Sequence, residues 1–391
     1  MDKIKGHIDW YILLPISALM LFGLSFVYSA SSAYSGLKLD SNEALFFSHL
    51  GKVILGLILM IVFAKIDYHV YRKISKSFLT ISVLLLVMVL FIGSSAKGAT
   101  RWIDLGPISL QPSEIVKFAM VIHFASMLSA KQAFIKQFEQ GFLPFLIWLG
   151  LISILIALQP NFSTMIVVLL IGYAIMFIGN VNLLHWIGTL LIGIFAAGLY
   201  LISAPYRMKR ILSYLGMGDA TSAAGSDYQL NQALIAIGNG GITGLGPGQS
   251  RQSNLFLPES YGDFIFSIVG EEFGFIGLVL ILAAFGLVFW RGLIVAKNAP
   301  DNFGYFLSVG IIITFAFYVF VNAGVNTGIL PTTGVPFPFI SYGGTAILLY
   351  SAAIGILLNI SAQTGMYPII ANQSLDDSLE EEDDDDDDDD D

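Results

Sequence analysis

Ten apolar segments, each long enough to cross a lipid bilayer, restrict the folds that this sequence can adopt. Hydrophobic residues make up 55% of the chain and charged residues only 12%, whereas soluble domains carry about 25% charged residues. Backbone N–H and C=O groups find no water inside a bilayer, so a crossing segment must satisfy them internally. We expect an all-α, polytopic integral membrane protein with ten transmembrane helices at roughly 10–29, 47–65, 77–95, 112–130, 142–159, 163–179, 183–203, 262–290, 304–328 and 341–361.

The loops between these segments differ in charge on the two sides of the membrane. Ten basic residues lie on the short loops of one set: Lys3, Lys5, Lys65, Arg72, Lys73, Lys76, Lys131, Lys136, Arg291 and Lys297. The short loops of the other set hold only Lys38, Lys97 and Arg101. The positive-inside rule therefore predicts that both termini lie in the cytoplasm. The long loop between the seventh and eighth helices, 204–261, is then extracytoplasmic.

The ends of the sequence and its rare residue types narrow the possibilities further. The first apolar segment is too long for a signal-peptide core, so we expect it to remain as a span. From Asp376 onward the chain has 14 acidic residues and no basic one. We therefore predict a transmembrane domain over 1–361 and an acidic, disordered cytoplasmic tail over 362–391. The absence of cysteine excludes disulfides and thiol catalysis, and without an HExxH motif no metal-ligating residue is predicted.

Unusual residues collect on the loops predicted to face outward. They are found in "KGATRWIDLGPISLQPSEIVK" (97–117), "QPNFST" (159–164), "PYRMKR" (205–210), "AIGNGGITGLGPGQ" (236–249), "LPESYGDFIFSIVGEEFGFIG" (257–277) and "LPTTGVPFPFISYGG" (330–344). Proline-rich, irregular backbone is tolerated at membrane depth only where protein or a water-filled cavity surrounds it. We therefore expect a site open to the outer leaflet, with loop 330–344 inserted into its cavity.

Two ionisable residues, Glu114 and Lys117, lie just inside the fourth predicted span. At positions i and i+3 they share one face of a helix. One interpretation is that they neutralise each other and contribute only to packing. The other is that they face a cavity, because charges within membrane spans are costly and are usually functional. A cation there would hold a carboxylate or a phosphate.

Asp263 opens the eighth predicted span. If that helix is regular, Ser267, Gly270, Gly274 and Gly277 follow on nearly the same face, a stripe that lets another helix approach closely. Asp263 is then either an N-terminal carboxylate favoured by the helix dipole or a general base at a water-accessible rim. Deeper in the span, we expect the adjacent pair Glu271 and Glu272 to be buried polar partners of another span.

Other polar residues of the outer face have both a structural and a binding interpretation. Arg101 and Arg210 are either snorkelling interfacial cations or ligands of a pyrophosphate, whose geometry suits arginine. For Trp102 an interface anchor is favoured over a sugar platform, and Asn161 is either a lining residue or a helix cap. The glycine-rich run 238–248 lacks GKS or GKT, so it predicts a flexible turn over the membrane surface and not a nucleotide loop.

These fragments, taken in order, resemble one known family. "DW" (9–10), "YSASS" (28–32), "RWI" and "QPSEIVK", "QPNFST", "YQLNQALIAIGNGGITGLG", "LPESYGDFIFSIVGEEFG" and "GILPTTGVPFPFISYGG" are similar to motifs of the SEDS proteins, which comprise FtsW, RodA and a sporulation relative. The resemblance runs from about residue 9 to residue 361. The "YSAS" start and "ISYGG" favour an FtsW-like over a RodA-like protein.

The resemblance implies a specific activity and location. SEDS proteins are peptidoglycan glycosyltransferases of the bacterial cytoplasmic membrane that polymerise lipid II, a disaccharide-pentapeptide on undecaprenyl pyrophosphate, at the outer leaflet. They invert the anomeric centre and serve cell division or cell shape. The expected partners are a class B penicillin-binding protein and other membrane proteins of the divisome or elongasome, with no nucleic acid.

The resemblance also implies roles for individual residues. The aspartate of the family motif falls on Asp263, the predicted catalytic residue. The predicted substrate-binding residues are Lys117, Glu114, Arg101, Trp102, Arg210, Asn161 and Ser341. A divalent cation, Mg²⁺ or Mn²⁺, bridging the pyrophosphate is the one cofactor considered, and the sequence shows no ligand set for it.

Two other functions compete with polymerisation. Intramembrane charges and a proline-broken loop also suit a transporter or flippase that moves the lipid across the bilayer. That class needs charged residues along the full depth of the membrane, whereas the polar residues here cluster on one face. A scaffold that organises the division or elongation machinery without chemistry is the third possibility.

Overall fold

The computed structural model describes residues 6–96, 99–104, 109–202, 208, 226–254 and 256–366. Within these residues the chain forms eleven α-helices and three short strands. The helices are α1 (Trp10–Lys38), α2 (Ala44–Lys65), α3 (His69–Ile92), α4 (Pro112–Lys131), α5 (Leu143–Leu158), α6 (Phe162–Ile178), α7 (Leu183–Ile202), α8 (Ser226–Gly240), α9 (Ile265–Lys297), α10 (Asn302–Asn326) and α11 (Thr345–Ser361). The predicted tail from Asp376 and most of 204–225 lie outside the described residues.

The prediction of an all-α membrane protein is confirmed. Every predicted span overlaps an α-helix, with boundaries that shift by up to about nine residues, as at the end of α1 (predicted 29, observed Lys38). Eight of these helices are long and apolar enough to cross a membrane, and α6 and α11 are apolar helices of 17 residues each. Helix α8 lies within the predicted outer loop, so part of that loop is helical.

The three strands form a small antiparallel sheet between α3 and α4. Strand β2 (Ala99–Asp104) lies in the centre, between β1 (Ser94–Ala96) and β3 (Ser109–Leu110). Leu110 pairs with Ile103, and α4 begins two residues later at Pro112. Proline suits the first turn of a helix because the N–H it lacks has no intrahelical partner there. The sheet therefore fixes the start of the helix that carries Glu114 and Lys117.

Helices α4 and α10 form the centre of the bundle. In each of them, 72% of the most apolar stretch is buried by protein. Helix α4 packs against α3, α6 and α10, and α10 packs against α9. Helix α7 has no buried residue in its most apolar stretch, and its exposed leucines and isoleucines suit contact with lipid. Polar residues on α4 and α10 consequently face protein.

A buried ion pair connects three helices at the end of the bundle where α1 begins. Asp9 caps α1 by accepting from the N–H of Tyr11 at 2.9 Å, and it lies 2.6 Å from the guanidinium of Arg291 on α9. The N–H of Asp9 donates to Ser361, the last residue of α11, at 3.0 Å. Asp9 is fully buried, so one residue joins α1 and α9 through its carboxylate and α11 through its N–H.

Helix α9 is broken at Gly274, so the condition of a regular helix, on which the predicted stripe of small residues depended, is not met there. Gly274 has φ 65° and ψ −165°, a conformation that glycine adopts without steric cost. The carbonyls of Glu271 and Glu272 accept from the N–H groups of Leu245 and Gly246 at 2.9 and 3.0 Å. Beyond the break, the N–H groups of Phe275 and Ile276 donate to the carbonyls of Gly241 and Ile242 at 2.9 and 3.2 Å.

The segment 241–246 therefore replaces four hydrogen bonds that the helix gives up. Backbone groups freed within a membrane span need such partners, because an unpaired one costs several kcal/mol. Gly244 fits there only because it lacks a side chain, since a Cβ would lie 2.1 Å from the carbonyl oxygen of Glu272. The glycine-rich run is thus inserted into α9 and is not a turn over the membrane surface.

Candidate active site

Asp263 lies at the junction of α9, α10 and loop 330–344. It precedes the first residue of α9 by two positions and is half-buried. Its main-chain oxygen accepts from the side-chain amides of Asn322 at 2.8 Å and Asn326 at 3.0 Å. These bonds go to the main chain and not to the carboxylate. The residue is held in place by its backbone, and it lies just before the helix that we predicted it would open.

Loop 330–344 is attached to the same segment. The Ser341 hydroxyl donates to the carbonyl of Gly262 at 2.7 Å and accepts from the N–H of Phe337 at 2.8 Å. The N–H of Tyr342 donates to the carbonyl of Tyr261 at 2.8 Å. Ser341 is 4% exposed, so it connects two loops beside Asp263. The loop lies within the protein, as its proline content predicted.

Gly334 faces the Asp263 carboxylate. A Cβ at this glycine would lie 3.4 Å from Oδ2 of Asp263, and the glycine has φ 72°. Any other residue would be strained in this conformation, and its Cβ would be in van der Waals contact with the carboxylate. The side chain of Asn322 reaches the same stretch of loop, donating to the carbonyl of Val335 at 2.6 Å. One amide therefore fixes the distance between the catalytic candidate and the loop above it.

Glu114 and Lys117 form a buried ion pair on α4. The ammonium of Lys117 lies 2.6 Å from Oε1 of Glu114, and the side chains are 2% and 6% exposed. The Tyr318 hydroxyl donates to Oε2 of Glu114 at 3.3 Å, and the ammonium lies 4.6 Å from the centre of the Tyr318 ring. The positive charge of Lys117 is thus balanced by the carboxylate of Glu114, which agrees with the interpretation that the two residues neutralise each other.

One face of α10 connects this ion pair to Asp263. Tyr318, Asn322 and Asn326 follow one another at intervals of four residues, so they line one side of the helix. At about 1.5 Å per residue, the ends of this row are about 12 Å apart. The first member contacts Glu114 and the last two contact Asp263. Neither asparagine belongs to the site residues predicted from the sequence.

Arg101 and Asn161 meet at the turn between α5 and α6. The guanidinium of Arg101 donates to the carbonyls of Gln159 at 3.3 Å and Pro160 at 2.5 Å. Asn161 accepts from the N–H of Thr164 at 3.4 Å and caps α6. It is 6% exposed. Of its two interpretations, the helix cap is the one that the structure shows.

Trp102 and Arg210 complete the predicted set. Trp102 is half-buried on β2, and a Cβ at Gly344 would lie 3.7 Å from its ring. The ring therefore lies beside the end of loop 330–344. Arg210 lies outside the described residues. Of the eight predicted site residues, the structure places Asp263 and Ser341 at one junction, with Trp102 near the end of the same loop.

Glu271 and Glu272 have different partners, although both are buried. Glu271 accepts from Ser250 at 2.5 Å, from the N–H of Gln252 at 3.1 Å and from Asn239 at 3.2 Å. These donors belong to α8 and to the segment that follows it, so Glu271 holds the predicted outer loop and is not the partner of another span. Glu272 accepts from Ser29 of α1 and lines a cavity of about 780 Å³ between α1, the start of α2 and residues 247–254. Only Glu272 bonds to another span as predicted.

Lys52 was missed by sequence reasoning. It lies within α2, and its ammonium donates to the hydroxyl of Tyr342 at 3.1 Å. Ser48, one turn earlier, lies 3.1 Å from the same hydroxyl. The positive-inside rule concerns basic residues on loops, whereas this lysine lies inside a predicted span. The rule that intramembrane charges are functional would have identified it.

No resident metal site is present among the described residues. No three His, Asp or Glu side chains in this part of the chain lie close enough together to hold an ion. A divalent cation bridging the pyrophosphate therefore stays a prediction, and we assign no chemical step to one.

Comparisons with known proteins agree with the motifs and with the fold. Residues 9–366 match the model of the FtsW/RodA/SpoVE family, described as cell cycle proteins. Stage V sporulation protein E of Bacillus subtilis (strain 168) is 41% identical over 361 residues, covering 91% of this chain and 98% of that protein. A "Probable peptidoglycan glycosyltransferase FtsW" of Geobacter sp. (strain M18) is 36% identical over 367 residues, covering 93% and 99%.

Solved structures show the same architecture. A chain of a peptidoglycan synthase complex that coordinates polymerization and crosslinking superposes with a TM-score of 0.73 at 25% identity, covering 92% of this chain and 99% of that one. The rod shape determining protein RodA of Thermus thermophilus superposes with a TM-score of 0.67 at 22% identity, covering 90% and 96%, which shows the shared fold. The chain described here belongs to the FtsW/RodA/SpoVE family of cell cycle proteins.

Proposed function

We propose that this chain is a peptidoglycan glycosyltransferase that polymerises lipid II into glycan strands at the outer face of the cytoplasmic membrane. The observation that carries the proposal is the setting of Asp263. Its backbone is fixed by two asparagine amides of α10, and its half-buried carboxylate faces Gly334 at the edge of loop 330–344. Family relatives named as peptidoglycan glycosyltransferases support this activity.

The proposed reaction is a single displacement. The acceptor sugar hydroxyl attacks the anomeric carbon of the donor, and the bond from that carbon to the pyrophosphate oxygen breaks. Asp263 accepts the hydroxyl proton as general base. The electron pair of the broken bond leaves with the lipid pyrophosphate, so the anomeric centre is inverted. Pyrophosphate leaves well without a general acid, so one carboxylate suffices where glycosidases need two.

The remaining predicted residues act around this carboxylate. Arg101 and Arg210 supply positive charge for the leaving pyrophosphate, whereas Lys117 is matched by Glu114 and acts through the position of α10. Trp102 forms a wall beside loop 330–344. Asn161 shapes the site by capping α6, and Ser341 does so by its hydrogen bond to the carbonyl of Gly262.

The protein is a membrane protein, and its orientation follows from charge. We place both termini in the cytoplasm and Asp263 on the extracytoplasmic side, because the basic residues of the short loops favour that topology. The likeness to a chain of a peptidoglycan synthase complex supports a class B penicillin-binding protein as partner. Other divisome or elongasome proteins complete the proposed assembly.

Polymerisation of lipid II by the purified protein tests the proposal. The full chain, with and without a class B partner, is incubated with labelled lipid II in detergent, and the glycan ladder is quantified. Asp263→Asn and Asp263→Ala are expected to abolish the ladder while melting like the wild type. Asp40→Asn, an exposed aspartate of the α1–α2 loop, is the matched control and is expected to be fully active.

Two results would replace this proposal with another. Translocation of fluorescent lipid II across liposomes without any glycan product would indicate a flippase. Absence of both activities from the wild type, with its partner present, would indicate a scaffold. Full polymerisation by both Asp263 variants would remove the catalytic assignment while leaving the enzyme itself.

A further inference from the structure

Lys52 places a positive charge beside the loop that faces Asp263. It lies about two turns after the start of α2 and is partly buried. Its ammonium lies 3.1 Å from the hydroxyl of Tyr342 and 4.2 Å from the centre of that ring. Placing an ammonium within a membrane span is costly, and such residues usually mark a substrate or ion pathway.

The charge of Lys52 has no carboxylate partner among the described residues. Ion pairs among the described residues include those of Lys117 with Glu114, of Arg291 with Asp9, and of a histidine with two aspartates. An ammonium has three donors, and Tyr342 takes one of them. As far as the described residues show, Lys52 therefore has two donors and an unmatched charge for an anion, in contrast to Lys117.

Two hydroxyls converge on the same point. The Ser48 hydroxyl lies 3.1 Å from the Tyr342 hydroxyl, and Ser48 and Lys52 share a face of α2 because they are four residues apart. The adjacent His49 is fully buried, and neither ring nitrogen has a hydrogen-bond partner among the described residues. An ammonium with two neighbouring hydroxyls can contact several oxygens of one phosphate.

This group is joined to the candidate active site through the backbone. The N–H of Tyr342 donates to the carbonyl of Tyr261, and the neighbouring Ser341 donates to the carbonyl of Gly262. Asp263 is the next residue. The rings of Tyr261 and Tyr342 also pack edge to face, with centres 5.8 Å apart. An anion held at Lys52 is therefore positioned relative to Asp263 by two hydrogen bonds and one ring contact.

We propose that Ser48, Lys52 and Tyr342 form a subsite that binds the diphosphate of a polyprenyl-linked substrate. This assignment rests on the proposed function, because that function supplies a lipid diphosphate at this face of the membrane. Lys52 provides the charge and the two hydroxyls orient the oxygens. The lysine lies in a membrane helix, which places the phosphate at the depth where a lipid-linked head group enters.

Ligand-induced thermal stabilisation tests the subsite directly. A ligand that binds only the folded protein stabilises it by RT ln(1 + [L]/Kd), so the melting temperature rises with affinity and with concentration. Undecaprenyl diphosphate is expected to stabilise the wild type in detergent, and Lys52→Met is expected to lose that shift. Lys52→Arg, which keeps the charge, is expected to retain most of it. Lys38→Met, which removes an exposed lysine at the end of α1, is the control and is expected to behave like the wild type.

The same variants are compared in polymerisation. Lys52→Met is expected to lower kcat/KM for lipid II by roughly 10- to 100-fold, as for the loss of a hydrogen bond to a charged group. The melting temperature of Lys52→Met without ligand is expected to stay near that of the wild type. If the contact between Lys52 and Tyr342 were purely structural, its loss would lower that temperature. A drop in stability without ligand together with an unchanged ligand shift would overturn the subsite.

Other probes separate the possible sources of phosphate. Inorganic pyrophosphate and phosphatidylglycerol are expected to give little Lys52-dependent stabilisation, because the polyprenyl chain contributes to binding and one phosphodiester carries less charge. An equal, Lys52-dependent shift with phosphatidylglycerol would show a general lipid contact and overturn the assignment.

Should Lys52→Met fail to fold, the double variant Ser48→Ala/Tyr342→Phe takes its place. A loss of the diphosphate shift then supports the subsite, and an unchanged shift overturns it.

Failure of the subsite and failure of the proposed function give different results. If the wild type makes no glycan but binds undecaprenyl diphosphate in a Lys52-dependent manner, the function falls and the subsite stands. If Lys52→Met polymerises lipid II and binds the diphosphate as the wild type does, the subsite falls and the function stands.

Discussion

The side-chain amide of Asn322 lies 2.8 Å from the main-chain oxygen of Asp263 and so ties the start of α9 to α10. The same amide donates to Val335 at 2.6 Å. One buried side chain therefore sets the positions of the candidate base and of the loop opposite it. This contact explains how a residue outside the regular part of α9 is held in a defined place.

Replacing Asn322 is expected to reduce both stability and polymerisation. Asn322→Ala leaves two buried carbonyls with fewer donors, which costs about 1–3 kcal/mol. Because Asp263 is then less well positioned, we expect kcat to fall at least about tenfold. Unfolding in detergent and the glycan assay measure the two effects. Asn298→Ala, at an exposed asparagine after α9, is the control, and equal behaviour of the two variants would contradict the positioning role.

The pair of Glu114 and Lys117 is expected to show strong coupling. Lys117→Met leaves a buried carboxylate without its cation, a change that costs about 3–5 kcal/mol. The double variant Glu114→Gln/Lys117→Met removes both charges and is expected to recover much of that loss. A double-mutant cycle on the free energy of unfolding measures the coupling. Additive effects of the two single changes would show that the pair is not a unit.

Gly274 is expected to tolerate no side chain, in contrast to Gly286 on the same helix. A Cβ at Gly274 would lie 2.4 Å from the carbonyl oxygen of Ile242 and the residue has a positive φ, whereas no atom lies within 4 Å of a Cβ at Gly286. Gly274→Ala is expected to lower the free energy of unfolding by more than about 1 kcal/mol. Gly286→Ala is expected to change it by no more than about 1 kcal/mol. Thermal unfolding of both variants checks this, and equal melting temperatures would contradict the inserted loop.

Tyr68 is expected to make the free energy of unfolding decrease as the pH becomes strongly alkaline. Burial, followed by the charge of Asp301 and the hydrogen bond to it at 3.0 Å, raises the pKa of Tyr68. Because the folded pKa lies above the unfolded value of about 10, the contribution of Tyr68 is complete below pH 10. It is lost as pH rises through the folded pKa. The difference in the free energy of unfolding between wild type and Tyr68→Phe should therefore be constant up to about pH 9.5 and then decrease. Parallel curves at all pH values would argue against this shift.

The orientation is tested by labelling single cysteines, since the chain contains none of its own. Ser41→Cys, in the exposed loop between α1 and α2, is expected to react with a membrane-impermeant maleimide in intact cells or spheroplasts. Gln137→Cys, exposed between α4 and α5, is expected to react only after permeabilisation. The reverse pattern would invert the topology and move the proposed site to the cytoplasmic face.

Much of the fold could be predicted from hydropathy. Ten apolar segments became ten helices because a membrane span must satisfy its own backbone, and that requirement acts within each segment. The break in α9 could not be predicted in this way. Gly274 is compatible with a regular helix, and the loop that replaces the missing hydrogen bonds comes from residues about 30 positions earlier in the chain.

The candidate site was predictable only in part. The motif containing Asp263 and the charged pair on α4 stood out because carboxylates and lysines are rare in apolar segments. Asn322 and Asn326 did not stand out, since an asparagine in an apolar helix has no distinctive pattern of its own. Their role depends on which carbonyls α10 faces. Lys52 carried a usable signal, a charge inside a span, but its partner Tyr342 lies 290 residues away.

By itself, the sequence determined the class of protein, its ten apolar helices and the family, because hydropathy and local motifs do not depend on distant residues. The tertiary structure decided which charges are matched and which are not. Lys117 and Lys52 are both lysines within apolar helices, yet one faces Glu114 on its own helix and the other faces a tyrosine of a distant loop. Helix packing sets these distances, and the strength of a charge interaction depends on them and on burial.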